Sequence, residues 1–70
     1  MNNTVIFTVT HGSRDTKFGI DIFESITTKN KDYTQFNVER CSEFELYFKM
    51  KEIAEAINNE YDCAVLFEVE

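Results

Sequence analysis

Ser42-Glu43-Phe44-Glu45-Leu46-Tyr47-Phe48-Lys49-Met50-Lys51-Glu52-Ile53-Ala54-Glu55-Ala56-Ile57-Asn58-Asn59 is the stretch that decides the fold. Ser42 and Glu45 stand three apart, as a capping box requires: the hydroxyl accepts from the Glu45 amide and the Glu45 carboxylate reaches back. Cys41 just before the cap and Leu46 four residues after it suit a hydrophobic staple. Glu43 and Glu45 in the first turn favour the positive end of the helix dipole. Leu46, Met50, Ile53 and Ile57 recur at spacings of four, three and four, a core-facing stripe widened by Tyr47, Ala54 and Tyr61. Asn58-Asn59 tolerates the left-handed conformation that often ends a helix. Downstream, Cys63, Val65, Phe67 and Val69 alternate with Ala64, Leu66, Glu68 and Glu70, which predicts a strand over Asp62–Glu70.

Upstream the period changes from helical to two. Thr4 to Thr10 is rich in β-branched residues and places Val5, Phe7 and Val9 on one side, a first strand. His11 to Thr16 reads as a loop around Gly12. A second strand is expected from Lys17 to Thr27, with Phe18, Ile20 and Ile22 on one face. The competing assignment is a short helix through Phe18, Ile22 and Ile26, which Gly19 disfavours. Lys29-Asn30-Lys31-Asp32 reads as a hairpin turn, and Tyr33 to Arg40 as a third strand with Phe36 and Val38 on one face. The order β-β-β-α-β predicts an α+β fold: a four-stranded antiparallel or mixed sheet with one amphipathic helix packed on one face. The opposite face would carry Ile6, Thr8, Phe23, Ala64 and Leu66.

Seventy residues predict one small domain, residues 1–70. Such a chain buries only about 60% of its unfolded surface, so a dry catalytic cleft is hard to build from it. Two cysteines and one histidine, far apart, fit neither a disulfide scaffold nor a structural zinc spacing. The start, Met1-Asn2-Asn3-Thr4-Val5, lacks the basic residues and cleavage site of a signal peptide, so a cytoplasmic location is expected. No apolar run approaches the roughly 20 residues that span a bilayer.

The net charge of −6 lies entirely in the second half. Glu43 to Glu70 holds eight acids against Lys49 and Lys51, whereas the first 42 residues balance five acids with five bases. This argues against direct binding to nucleic acid or an anionic membrane and favours a protein partner with a basic surface. On the helix, Phe44 and Phe48 fall nearly opposite the core stripe, among Glu45, Glu52, Glu55, Lys51 and Asn59. Aromatic anchors inside an acidic rim are the composition of an interface, and Phe44, Glu45, Phe48, Glu52, Glu55 and Asn59 are the candidate partner-binding residues. The bland alternative packs Phe44 under Cys41, shields Phe48 with a loop or second subunit, and leaves the acids as solvated charges. Four-residue spacing would let Glu45 pair with Lys49 and Lys51 with Glu55.

His11-Gly12-Ser13-Arg14-Asp15 follows the first strand. This string resembles the opening of sirohydrochlorin cobaltochelatases and ferrochelatases, where a strand runs into a His-Gly-Ser-Arg loop. The resemblance implies metal handling by His11 and carboxylate recognition by Arg14, and covers five of the 70 residues. The alternative is a polar loop in which Ser13 or Asp15 caps local amides.

The expectation is therefore a non-enzymatic, acidic protein-binding module with no cofactor. By analogy of type it suits an inhibitor carried by a phage or mobile element that blocks a basic, nucleic-acid-handling surface, such as that of a CRISPR effector. The alternatives are a metal- or tetrapyrrole-handling protein built on His11, and a structural homodimer paired through the open sheet face or an edge strand.

Overall fold

The computed structural model describes residues 3–70, with Met1 and Asn2 outside the described part. Its elements are β1 (Asn3–Asp15), β2 (Ile20–Thr28), a 3-10 turn (Lys31–Phe36), β3 (Val38–Ser42), α1 (Glu43–Glu60) and β4 (Cys63–Val69). They form an α+β fold with a mixed four-stranded sheet in the order β3-β2-β1-β4. β1 pairs antiparallel with β2 and β2 with β3, while β4 lies parallel to β1. A parallel return needs a crossover, and α1 supplies it between β3 and β4.

The helix forms as its sequence dictates. The Glu45 amide donates to Ser42 Oγ at 3.3 Å and the Ser42 amide donates to Glu45 Oε2 at 3.4 Å, completing the capping box. Leu46, Ile53 and Ile57 are buried against Val5, Phe7 and Val9 of β1 and Ile26 of β2, in one cluster with Tyr33 and Cys41. Phe67 of β4 stacks on Phe7 with ring centroids 5.5 Å apart. The helix ends without a left-handed residue: Asn58 and Asn59 stay helical and extended Tyr61 closes it, its amide donating to the Ile57 carbonyl. Tyr47 lies outside the buried stripe, and Tyr61 is covered on one side only, by the edge of Tyr33. The reason for Tyr47 is angular: at about 100° per residue it lies a quarter-turn from the centre of the Leu46/Ile53/Ile57 seam.

Three further expectations are corrected. The third strand begins at Val38, because Asn30 caps the Asp32 amide and turns Lys31–Phe36 into a 3-10 helix. Tyr33 and Phe36 still reach the core, but from that turn. The loop read over His11–Thr16 is strand almost throughout, and the turn falls after Asp15, where Gly19 takes a φ of 66°. The second strand therefore starts at Ile20, and its core-facing residues are Ile26 and Phe23 rather than Phe18, Ile20 and Ile22.

A β-bulge causes that reversal. Thr10 faces Ser25 but His11 faces Phe23, so Glu24 is the extra residue and inside-outside alternation resets across it. Phe23 thereby moves from the open face to the helix side, opposite the buried Cys41. Ile6 and Leu66 remain neighbours on the open face, both nearly half exposed. Gly12 is skipped in the ladder, and a Cβ there would lie 3.3 Å from Glu24 Cβ. Beside the kink, Arg40 holds a φ of 35°, which is strained for a residue with a side chain.

Beyond the bulges β1 and β2 outrun their neighbours. The β4 ladder stops where the His11 amide donates to the Glu70 carbonyl, and β3 stops at Ser42 opposite Ile22. From Ser13 to Asp15 and from Ile20 to Asp21 the two strands pair only with each other, as a projecting ribbon arm. The arm gives the molecule its elongated outline of 46 × 19 × 18 Å.

The seam and the cap differ in weight. Truncating a buried isoleucine typically costs about 2–5 kcal/mol, and losing a serine cap about 1 kcal/mol. A chain of this size has only a few kcal/mol in hand. Urea unfolding followed by circular dichroism is expected to find Ile57→Ala largely unfolded in buffer. Ser42→Ala should fold with a lower midpoint.

Candidate partner-binding surface

With the seam docked on the sheet, the opposite side of α1 faces outward. Phe44 is 73% exposed and Phe48 56% exposed. Their rings meet edge to face at 5.1 Å, so the pair makes one apolar knob. Tyr47, 65% exposed, lies three residues from Phe44 and widens the knob sideways around the helix. Glu43, Phe44 and Tyr47 together line a shallow pocket of about 250 Å³. Tyr47 is the residue that sequence reasoning misassigned. A narrower estimate of the stripe, centred on the three fully buried positions, would have placed it outside.

Glu45, Glu52, Glu55 and Asn59 are also exposed on this side, so the helix brings all six candidates onto one continuous face. Their charges are arranged differently from the expected four-residue pairs. Glu45 is committed to the cap, and Lys49 meets Glu52 at 3.8 Å, three residues on. Among the described residues, Lys51 and Glu55 form no ion pair. Glu55 is thus a free carboxylate at the centre of the outer face, with Glu52 only loosely neutralised.

Cys41 and Cys63 are free thiols. Burial pushes the Cys41 thiol up, helped by the neighbouring Glu45 carboxylate and opposed by Lys49. A thiol held in its neutral form is a poor nucleophile and a poor metal ligand.

The His-Gly-Ser-Arg-Asp segment is separate from the aromatic knob. His11 packs at a tilt against Phe23, ring centroids 5.2 Å apart, and its Nε2 lies 3.8 Å from Asp21 Oδ1. Arg14 faces Asp21 across the ribbon and donates from Nη2 to the Gly19 carbonyl at 3.2 Å. Asp15 accepts from the Lys17 amide at 3.0 Å. The bulge at Gly12 resets the alternation and puts Ser13 and Asp15 on the other side of the ribbon from His11, so these three do not converge. Among the described residues, no group of three or more His, Cys, Asp or Glu side chains is placed to hold a metal ion. Among the described residues, no helix is long and apolar enough to cross a membrane.

Comparison with protein-family models, with curated proteins and with solved structures finds no match to this chain.

His11 and Asp21 offer a divalent ion two donors on an open ribbon, which is too few for specific binding. Calorimetric titration with Co²⁺ or Ni²⁺ is expected to give the same weak response for wild type and His11→Ala. A tight site lost with His11 would restore the metal-handling alternative.

Proposed function

We propose that this protein is a non-enzymatic binding module whose acidic, aromatic helix face docks on a basic surface of another protein. The observation that carries the proposal is the Phe44/Tyr47/Phe48 knob, exposed within the half of the chain that holds all the net charge. Burying a ring of this kind yields roughly 2–4 kcal/mol at the usual area coefficient. An exposed ion pair yields about 0.2–1 kcal/mol. The rings therefore supply affinity, and Glu52 and Glu55 supply steering and discrimination.

A protein surface that holds nucleic acid is rich in lysine and arginine, because these neutralise the phosphates. An acidic module seated there would exclude the nucleic acid by occupying the same cations. The favoured role is inhibition of nucleic-acid-handling machinery, of the type that phages and mobile elements direct against CRISPR effectors. Both the acidity and the small size of the chain support that role.

Affinity capture on the immobilised chain, followed by competition with nucleic acid, tests the proposal. A captured basic protein should be displaced by nucleic acid. Phe48→Ala should weaken the complex about 30-fold, the scale of a hot-spot residue, with the melting temperature nearly unchanged. Reversing Glu52 and Glu55 to lysine should slow association and flatten its salt dependence. Binding indifferent to both changes would place the site elsewhere, and a large fall in melting temperature for Phe48→Ala would make that ring structural.

A further inference from the structure

The ribbon arm and the aromatic knob lie at the same end of the molecule. β1 and β3 run in the same direction, both antiparallel to β2, and α1 begins where β3 ends. Ser42, the helix cap, faces Ile22, which faces Ser13 at the root of the arm. The arm then continues about 10–15 Å past the first turn of the helix, at 3.3 Å per residue. Because the helix lies on one face of the sheet, the projecting ribbon leaves a step one helix diameter high, about 10 Å.

The helix-side surface of this arm differs in character from the rest of the chain. His11 and Phe23 share that side, as their ring contact shows, and strand alternation adds Asp21 and Arg14. At the tip, Lys17 Nζ sits 5.3 Å over the ring of Phe18, which is 65% exposed. Among the described residues Lys17 has no carboxylate within ion-pair distance, whereas Asp21 lies opposite Arg14 in the ribbon and 3.8 Å from the His11 imidazole. On its helix side the arm therefore presents Arg14 beside Asp21 and, at its tip, an unpaired Lys17 over an exposed ring, a cation and an aromatic able to meet an aromatic knob rimmed by Glu52 and Glu55.

We propose that two copies associate head to head about a two-fold axis, the arm of each lying over the Phe44/Tyr47/Phe48 face of the other. The step accepts the partner's helix N-terminus, and the same operation seats the second arm, so the contact is reciprocal and closes as a dimer. A specific interface needs roughly 600 Å² from each copy, about a ninth of this chain's 5209 Å² surface. His11 to Ile20, ten consecutive exposed residues, together with the knob can supply it. Charge disfavours helix-to-helix self-pairing, in which two helix faces would oppose Glu52 and Glu55 with their own copies.

This inference rests on the knob being a docking surface, and it adds regulation. The dimer covers the site, so self-association and partner binding exclude one another.

Sedimentation over a concentration and salt series tests it on the intact chain. Wild type should dimerise as concentration rises and dissociate with added salt. Phe18→Ala and Lys17→Glu should each weaken the dimer at least tenfold at unchanged melting temperature. An Arg14→Glu/Lys17→Glu chain mixed with a Glu52→Lys/Glu55→Lys chain should form the heterodimer that neither forms with itself. A monomer at every concentration, or a dimer indifferent to Phe18→Ala, would overturn the arm contact. If that monomer still loses partner binding with Phe48→Ala, the docking surface stands and only self-association is removed. If Phe44→Ala and Phe48→Ala affect neither dimer nor partner, both readings fail together.

Discussion

Leu46, Ile53 and Ile57 seat the helix against Val5, Phe7, Val9 and Ile26, and this one apolar seam fixes nearly everything else. A helix packed through a narrow stripe leaves most of its circumference outside the core. Whatever the sequence places there must be polar, or must be covered by something else. Here the exposed arc carries three aromatic rings at helical spacing, with carboxylates around them. The same seam sets the crossover that returns β4 parallel to β1, and so decides which sheet face stays open.

Small size sharpens the consequences. A chain that buries about three-fifths of its unfolded surface cannot hide surplus rings in a second layer. Phe44, Tyr47 and Phe48 are left outside the core. Their position beside the root of a projecting ribbon ties two unusual features of the molecule to one end. The knob is aromatic with an acidic rim; the arm beside it ends in Lys17 over the exposed Phe18 ring. Function, on this account, resides in surfaces that the core has no room to absorb.

Much of this was legible in the residues. The capping box, the buried seam, the alternation of β4 and the outward Phe44/Phe48 pair all follow from local spacing, and each is found where spacing puts it. What escaped reading depends on non-local register. Nothing in Phe18-Gly19-Ile20-Asp21-Ile22-Phe23-Glu24 announces that Glu24 is bulged, yet that one extra residue turns Phe23 inward. The ribbon arm was hidden for a related reason. His11, Gly12 and Ser13 carry turn chemistry, but pairing with β2 holds them in strand, and the reversal waits for Gly19. Tyr47 was misjudged by angle alone, a quarter-turn from the seam.

Hydroxyl-radical footprinting of the dilute, monomeric chain, read residue by residue, bears most directly on the one-sided helix. Phe44, Tyr47 and Phe48 should be oxidised rapidly, while Phe7, Tyr33 and Leu46 stay protected until the chain unfolds. Protection of all three helix rings in the monomer would mean that they are enclosed by their own subunit, and the docking surface would lose its foundation.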